Sequence, residues 1–381
     1  MTILLILFLG SSIFLWISIF GYILVLGLLA LKRRHPTPEI KDWPPIAVVI
    51  PALNEENLIL TKLQDLKLSN YPGDRTTIIV VDGGSHDQTT ALVEREIGRG
   101  ESLHLECLNG STGKADQVNY ALKQLTQDII VFTDVDSELD PSCIKELVGV
   151  LVEDPQTAVV GASVKPASCL QEELIHWQLL NFLWWLEGEA LFASGLSAVC
   201  YAVRRKVVLP VPRGAQADDI SLAISASRGG FGARLSRKAR ATEVRVPQTA
   251  GELLNYRRRR GAAYRAALLS TPEQLSLSSG ARLARRLHLW HFRGAPQLGL
   301  VLLTASCVLL VTSSWPYALV TMFAFIIPSV AAVLTSAAQS GDRCPWWKRC
   351  LAAGRFLALT LISLLTLNKY SLKTAPTRSQ Q

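Results

Sequence analysis

Apolar and polar positions alternate along the middle of the chain in blocks that predict strands and helices in turn. Short runs rich in apolar residues predict buried strands at 46–50, 76–81, 103–108, 129–132 and 159–164. Segments with apolar residues at helical spacing predict helices at 55–68, 114–125 and 140–151, and a capping turn at 85–89 leads into a further helix that ends at 97. Pro51 is expected to stop the first strand. The alternation predicts an α/β fold with a mostly parallel, Rossmann-like sheet.

Long apolar runs flank this middle part. Residues 3–31 carry no charge, and a span needs roughly 20 apolar residues. We expect a retained transmembrane helix over 1–31 rather than a cleaved signal peptide, because no Lys or Arg precedes the run. Apolar runs within 295–368 predict about three more spans; the last contains Arg355 and lies in the membrane interface in the alternative interpretation.

Basic residues next to these runs predict how the chain is oriented. Lys32, Arg33 and Arg34 follow the first run, and Arg282, Arg285, Arg286 and Arg293 precede residue 295. The positive-inside rule then places the middle of the chain in the cytoplasm of a multi-pass protein of the plasma or inner membrane. Residues 32–45 form a basic, Pro-rich linker, 271–294 a basic amphipathic interfacial helix and 369–381 a polar tail.

Net charge limits the classes of partner that the protein can be expected to bind, and the cysteine pattern indicates the redox state of its thiols. The net charge of +8 suits a face pressed on anionic lipid. No nucleic-acid-binding signature accompanies this charge, so we expect no nucleic acid polymer as a partner. Seven scattered cysteines without a C-x-x-C pair predict reduced thiols.

Two aspartates, Asp134 and Asp136, flank Val135 directly after a predicted strand. In an extended segment they point to the same side and reach one cation. Ligands that are all oxygen favour Mg²⁺ or Mn²⁺, which also bind substrate phosphates. The alternative is a solvated turn in which an Asp caps the next helix.

A second predicted strand ends at Asp82, followed by Gly83 and Gly84, which let backbone approach a ligand. A carboxylate there can pair with the N–H edge of a nucleobase. Gly113-Lys114 opens a helix and offers a cation and backbone N–H groups to a phosphate, although a first-turn Lys is usually solvated. The dinucleotide G-x-G-x-x-G and Walker patterns are absent.

Two further charged motifs allow a functional and a structural interpretation. Asp218 and Asp219 open an apolar helix and either cap it or supply a general base, because like charges raise a carboxylate pKa. The run Arg257–Arg260 either faces the membrane or clamps a leaving pyrophosphate.

Two helical segments carry large aromatic residues. Residues 173–192 include Trp177, Trp184 and Trp185, and residues 275–293 interleave arginines with Leu, Trp and Phe. Both patterns favour interfacial helices over core helices.

Six motifs in this order carry a resemblance to a family: P-A-L-N-E-E, V-V-D-G-G-S-H-D-Q-T, G-K-A-D-Q-V-N-Y-A-L, F-T-D-V-D-S, A-D-D and R-R-R-R-G. The region from about 45 to 265 resembles the membrane-bound family-2 glycosyltransferases of GT-A fold, such as cellulose and hyaluronan synthases and ceramide glucosyltransferase. The resemblance implies a GT-A domain over 46–270.

The resemblance also implies a role for each matched residue. Asp82 would contact the nucleotide base, with Pro51, Asn54 and Glu55 in the first loop of its pocket. Lys114 would lie near the base or diphosphate, and Asp134 and Asp136 would hold the diphosphate through the cation. Asp219 would be the catalytic base, beside Asp218, while Arg257 and Arg260 would bind the leaving pyrophosphate. Residues 194–197 match the loop on the acceptor side.

One family motif is incomplete. Residues 254–258 read L-N-Y-R-R, which keeps the arginine of Q-x-x-R-W but lacks the Gln and the Trp. From the resemblance as a whole we expect inverting, metal-dependent transfer from a nucleotide-diphosphate sugar, in particular a UDP-sugar, to a hydroxyl of a lipid or other amphiphile. A processive polysaccharide synthase and a non-catalytic membrane scaffold are the alternatives. The identity of the sugar, the acceptor and the oligomeric state stay open.

Overall fold

The computed structural model describes most of the chain. Described are residues 2–31, 40, 42–99, 103–108, 113–193, 195–196, 198–270, 277–311 and 346–366, with the single residues 316, 319 and 330. The strands are β1 (Ile46–Ala52), β2 (Thr76–Asp82), β3 (Leu103–Cys107), β4 (Ile129–Thr133), β5 (Ser137–Leu139), β6 (Thr157–Pro166), β7 (Cys200–Arg204) and β8 (Gly232–Glu243).

Helices precede, separate and follow these strands. They are α1 (Thr2–Trp16), α2 (Tyr22–Ala30), α3 (Ile59–Lys67), α4 (Thr89–Ile97), α5 (Lys114–Gln124), α6 (Cys143–Glu153), α7 (Gln171–Leu191), α8 (Asp218–Arg228), α9 (Ala250–Leu269), α10 (Ser279–Arg293), α11 (Ala295–Val311) and α12 (Trp346–Thr366). A π-helical turn, Ile17–Gly21, joins α1 to α2.

The strands of the described chain form one mixed sheet in the order β3-β2-β1-β4-β7-β6-β8-β5. The first four are parallel, which confirms the α/β prediction for this half. β7 runs antiparallel to both β4 and β6, and β5 runs antiparallel to β8. The prediction of a mostly parallel sheet is therefore wrong for the second half, because β7 enters the sheet in the reverse direction.

The central strands form the core because they are covered on both faces. Every residue of β1 is buried, as expected for a strand between two parallel neighbours. Pro51 lies inside β1, opposite Val81, so the prediction that it stops the strand is wrong. Two helices begin later than predicted, at Ile59 and Cys143, because turns occupy the residues before them.

The N-terminal helices contain the one segment of the described chain long and apolar enough to cross a membrane, Ile6–Ala30. The described apolar runs Ala295–Val308 and Leu351–Thr366 are shorter, so they do not support the predicted multi-pass arrangement. The predicted span at 317–338, most of the basic linker and the tail after 366 lie outside the described residues.

Helix α7 packs against β8, β6 and α2. Trp177 and Trp184 are 2% and 4% exposed and belong to the core. The interfacial prediction is therefore wrong for these two side chains, because the sheet covers one face of α7. In α10, Arg282, Arg286 and Arg293 are exposed, and its interfacial position stays a prediction.

Candidate active site

The carboxyl ends of β2, β1 and β4 meet at one edge of the sheet. Ala52 lies opposite Asp82 at the ends of β1 and β2, and Asp134 follows β4 directly. Parallel strands that end together create a crevice where ligands bind. The structure thus brings together predicted site residues that are far apart in sequence.

The first two loops at this edge hold each other in place. Asp82 is 2% exposed, and its Oδ2 accepts hydrogen bonds from the N–H groups of Gly84 and Ser85, both at 2.9 Å. Asn54 has a left-handed backbone, with φ of 56°, and its Oδ1 accepts from His86 N–H at 2.9 Å. These carboxylate and amide groups therefore fix the loops, and Asp82 Oδ1, which accepts one bond from the Ser85 hydroxyl, keeps capacity for a second.

The amide of Gln117, which the sequence analysis did not single out, joins the two strand ends. Its Nε2 donates to the carbonyl oxygens of Ala52 and Val81, both at 2.7 Å. Gln117 lies in α5, one helical turn after Lys114, so α5 is locked to the edge that carries the loops.

Arg245, also missed by the sequence analysis, links the first loop to the metal motif. Its guanidinium donates to both carboxylate oxygens of Glu55, at 3.1 and 2.5 Å. The same side chain lies 4.0 Å from Asp136 Oδ2. The one sequence signal for Arg245 is that it is a basic residue; in the structure it lies two positions after the last residue of β8. Glu55 is thus a partner of Arg245, and Arg245 holds it near Asp136.

Lys114 joins the metal motif to the third acidic motif. Its Nζ lies 2.7 Å from Asp134 Oδ1 and 3.1 Å from Asp218 Oδ2. Burial alone would lower the pKa of Lys114, but the two carboxylates raise it above its ordinary value. A permanent cation therefore lies between carboxylates where a diphosphate would add further negative charge.

Asp219 opens α8 and is 9% exposed. Its Oδ2 accepts from Ala198 N–H at 2.9 Å and its Oδ1 from Ile220 N–H at 2.8 Å. Burial, with the charge of Asp218, raises the pKa of Asp219 to about 6, although Lys114 and the two N–H groups act in the opposite direction. A carboxylate with this pKa is ionised at neutral pH and accepts a proton more readily than a solvated one.

Asp218 has a different set of partners from Asp219. Its Oδ2 accepts a hydrogen bond from the Tyr201 hydroxyl, in addition to the contact with Lys114. Burial and Asp218 together raise the pKa of Tyr201 well above its usual range, so this phenol stays neutral. The two neighbouring aspartates therefore have different environments: Asp218 contacts a phenol and a lysine, while Asp219 accepts hydrogen bonds from two backbone N–H groups.

The sequence analysis predicted that Asp134 and Asp136 lie in one extended segment, and this prediction is wrong. Val135 and Asp136 form a turn, because the chain reverses to pair β5 with β8. Within the described residues no group of three or more His, Cys, Asp or Glu side chains is placed to hold a metal. Two carboxylates still fit Mg²⁺ or Mn²⁺, since such ions often take one or two carboxylates and complete their shell with water and substrate phosphates.

The two arginines of the predicted clamp have acidic partners. Arg257 donates to the Glu172 carbonyl at 2.6 Å and lies 3.4 Å from Glu173 Oε2. Arg260 donates to Glu243 Oε2 at 3.1 Å, and its guanidinium lies over the Trp177 ring. Both line the cavity described next, and their role in binding pyrophosphate stays a prediction.

A cavity of about 920 Å³ is lined by Asp134, Asp218 and Asp219 and continues among apolar helices. Lys114, Asp134, Asp218 and Asp219 form what we call its polar part. Its apolar part is formed by side chains from α1, α2, α7 and α12: Leu15, Ile23, Leu183, Leu361 and Leu364. The volume lies near the upper limit of typical ligand sites, roughly 300–1,000 Å³. Of the loop predicted to line the acceptor side, Gly195 and Leu196 are described, and Ser194 and Ser197 lie outside the described residues.

Comparison with known proteins agrees with this geometry. Residues 47–196 match the family model described as Glycosyl transferase family 2. This part of the chain is similar to the family-2 glycosyltransferases. The match includes the first four strands, both loops at their carboxyl ends and the Asp134 motif.

Relatives of this domain differ in length and activity. A Bacillus subtilis protein described as probable glycosyltransferase YdaM is 26% identical over 178 residues, which are 44% of this chain and 42% of that protein. The beta-monoglucosyldiacylglycerol synthase of Synechocystis is 28% identical over 136 residues, which are 32% of this chain and 28% of that protein. The alignments thus span less than half the length of either relative.

A solved structure supports the fold over nearly the whole chain. The mannosyltransferase PcManGT from Pyrobaculum calidifontis, in complex with GDP-Man and Mn²⁺, superposes with a TM-score of 0.69 at 22% identity. The superposition covers 95% of this chain and 98% of that one. The chain therefore shares the mixed α/β fold of that structure.

Proposed function

We propose that the protein transfers a sugar from a nucleotide-diphosphate sugar to a hydroxyl of a membrane amphiphile. The position of Asp219 is the main observation in support of this proposal. Its buried carboxylate, whose pKa is raised, lines a cavity. The polar part of this cavity also contains Lys114 and Asp134, and helices form its apolar part. The donor and an apolar acceptor would meet at this residue.

The donor would bind at the carboxyl edge of the sheet. Asp82 and the loop of Pro51, Asn54 and Glu55 would contact the nucleoside, and Lys114 would lie near the diphosphate. Asp134 and Asp136 would hold Mg²⁺ or Mn²⁺, which would neutralise the charge on the leaving diphosphate as a Lewis acid. The PcManGT complex, which contains GDP-Man and Mn²⁺ on the same fold, supports this arrangement.

The base step follows from the environment of Asp219. The carboxylate would take the proton of the acceptor hydroxyl, and the hydroxyl oxygen would form a bond to the anomeric carbon. The bond from that carbon to the diphosphate would break on the opposite face, and the nucleoside diphosphate would leave with the electron pair. A single displacement of this kind inverts the anomeric configuration.

The amphiphilic acceptor is supported by the apolar part of the cavity. Leucines and an isoleucine from α1, α2, α7 and α12 would contact an acyl or prenyl chain. The Synechocystis relative, named as a glucosyldiacylglycerol synthase, is a lipid glycosyltransferase. The apolar segment Ile6–Ala30 supports attachment to a membrane. The basic residues Lys32, Arg33 and Arg34 after it favour a plasma or inner membrane protein with a cytoplasmic catalytic domain.

The test is a transfer assay with purified full-length protein, native membrane lipids, Mn²⁺ and a panel of radiolabelled UDP- and GDP-sugars. Label is expected in a chloroform-soluble product, and Asp219→Asn should reduce kcat by about 10²- to 10⁴-fold while nucleotide binding persists. Asp74→Asn, at an exposed site, is the matched control. Label in a long water-soluble polymer would favour a polysaccharide synthase, and undiminished turnover by Asp219→Asn would remove the assigned base.

A further inference from the structure

A fully buried lysine lies in α3, outside the residues assigned to the donor, the cation or the acceptor. The side chain of Lys62 is 0% exposed. Its Nζ lies 2.9 Å from Asp65 Oδ2, 2.9 Å from the Ser137 carbonyl oxygen and 3.2 Å from Ser137 Oγ. An ammonium group has three N–H donors, so each of them has an acceptor here. Because a buried charge is costly unless it is paired and hydrogen-bonded, these contacts fix where Lys62 and Ser137 lie.

This turn of α3 holds both ends of β5. Lys62 bonds to Ser137, the first residue of β5. The Asp65 carboxylate accepts from the N–H of Leu139, the last residue of β5, with both oxygens at 3.1 Å. β5 begins directly after Asp136. The position of this short strand, and of the acidic motif before it, is therefore coupled to α3.

The hydroxyl of Ser137 extends the contact from Lys62 to Asp134. Because an ammonium group only donates, Ser137 Oγ accepts from Lys62 Nζ and directs its own proton elsewhere. A carbonyl oxygen only accepts, so the Asp134 oxygen at 2.7 Å takes this proton, and the Thr133 hydroxyl at 3.0 Å donates to Ser137. A chain of hydrogen bonds thus leads from the buried ammonium group to the backbone of the first predicted metal ligand.

The turn between Asp134 and Asp136 is also held by the strands. Asp134 N–H donates to the Val199 carbonyl at 2.8 Å, just before β7, and the Asp136 carbonyl accepts from Val244 N–H at 2.9 Å, just after β8. These bonds fix the N–H of the first aspartate and the carbonyl of the second. The bond from Ser137 adds the carbonyl of Asp134, which belongs to the peptide unit between the two aspartates.

We propose that Lys62 is a positioning residue for the metal site: through Ser137 it holds the turn in the shape in which Asp134 and Asp136 bind one Mg²⁺ or Mn²⁺. This inference rests on the proposed function, which assigns the cation to these two carboxylates. Lys62 acts from α3 and not from the cavity, because Asp65 and Ser137 use all of its donors. Contacts that orient metal ligands in this way contribute about 10- to 100-fold to metal affinity.

Mn²⁺ binding tests the inference without turnover. Full-length protein, freed of metal by EDTA and dialysis, is titrated with Mn²⁺ in the presence of UDP and, separately, of GDP. Free Mn²⁺ is followed by electron paramagnetic resonance. Lys62→Met should raise the Kd for Mn²⁺ by about tenfold. Calorimetry on metal-free protein should give wild-type affinity for UDP or GDP, because Lys62 acts on the turn and not on the nucleotide.

Leu63→Ala is the matched control in the same helix. Leu63 is 2% exposed and belongs to the core, so its truncation should lower the melting temperature. It removes no bond to β5 and should leave the Kd for Mn²⁺ unchanged. A loss of Mn²⁺ affinity confined to Lys62→Met therefore reports the position of the turn and not a general loss of stability.

Ser137→Ala is the second variant, because it removes the hydroxyl that joins Lys62 to Asp134. It should raise the Kd for Mn²⁺ by about threefold or more, the contribution of roughly one hydrogen bond. Since both side chains act through one chain of bonds, Lys62→Met with Ser137→Ala should change the Kd by less than the product of the single changes.

The outcomes separate the inference from the proposed function. A Kd for Mn²⁺ that rises no more in Lys62→Met than in Leu63→Ala would overturn the inference alone. If Lys62→Met does not fold, a wild-type Kd in folded Ser137→Ala would overturn it. Absence of label in native lipid with every donor would contradict the proposed function, whereas the Mn²⁺ titration would still decide the role of Lys62.

Discussion

Ala198 N–H donates to Asp219 Oδ2 at 2.9 Å, so the acceptor-side loop holds the proposed base directly. The other end of that loop is held by Glu187 through Gly195 N–H. Between them Leu196 has a positive φ of 28°, which is strained for a residue with a branched side chain. The structure therefore fixes Asp219, which lies outside the residues matched to the family model, through a loop that is held by Glu187 of α7.

The pH dependence of transfer is set by Asp219. Burial and Asp218 raise its pKa to about 6, and a base works only when it is deprotonated. We therefore expect kcat/KM to rise as the pH increases through about 6 and to level off above it, as measured in a constant-ionic-strength buffer series. An acidic limb centred near the ordinary aspartate pKa of about 4 would contradict this assignment.

Substitution of Lys114 should shift that profile in a known direction. Because the positive charge of Lys114 lowers the pKa of Asp219, Lys114→Met should move the midpoint to higher pH and weaken binding of the nucleoside diphosphate. The midpoint is taken from the same pH series, and nucleotide affinity from calorimetry. A midpoint that stays in place or moves to lower pH would show that Lys114 does not act on the base.

Metal dependence should follow the two aspartates after β4. Asp134→Asn and Asp136→Asn should each raise the Mn²⁺ concentration for half-maximal transfer by at least about tenfold, because each removes an anionic ligand. Mn²⁺ binding with UDP or GDP present, followed by electron paramagnetic resonance, gives the same comparison without turnover. Asp140→Asn, an exposed residue after β5, is the control and should leave both measurements unchanged.

Gly195 should tolerate no side chain. A Cβ there would come within 2.3 Å of Trp184 Nε1 and 2.4 Å of the Tyr264 oxygen. Gly195→Ala should destabilise the protein by about 1–3 kcal/mol and reduce transfer more than nucleotide binding, as measured by thermal unfolding and the transfer assay. Gly251→Ala has nothing within 4 Å and should be neutral or slightly stabilising. Equal behaviour of the two variants would show that the loop can relax.

The sequence predicted which residues meet at the carboxyl edge of the parallel strands because the signals for these residues are local. Ile46–Ile50, Ile78–Val81 and Ile129–Phe132 are short apolar runs, and the polar residues after them must share an edge when the strands are parallel. The expectation that Asp82, Asn54 and Asp134 follow strands that share an edge agrees with the pairing of β1, β2 and β4, while their roles in binding a donor stay a prediction.

In the second half of the sheet β6 was predicted, whereas β5, β7 and β8 were not, for a physical reason. β8 contains Arg234, Arg237, Lys238 and Arg240, so its polar positions hide the strand pattern. β7 is short and reverses direction, which no local pattern indicates. Arg245 was missed because its position is set by β8, and Gln117 was missed because its partners Ala52 and Val81 come together only when β1 pairs with β2.

The acceptor side depends on contacts across most of the chain. Glu187 was interpreted as part of an interfacial helix, yet its partners Tyr22 and His288 are 165 and 101 residues away. The available signal was the presence of carboxylates among the Leu and Trp residues of α7, because a buried charge requires partners. Which partners these are follows only from the packing of α2 and α10 against α7.

Filling the apolar part of the cavity tests the central claim most directly. Leu183 lines the cavity, while the adjacent Phe182 is 43% exposed and is not among the lining residues. Leu183→Trp and Phe182→Trp are compared by transfer of radiolabel to native lipid, with thermal unfolding to confirm folding. The account predicts that Leu183→Trp loses most lipid transfer but binds nucleotide normally, whereas Phe182→Trp retains transfer. Full lipid transfer by a folded Leu183→Trp variant would contradict it.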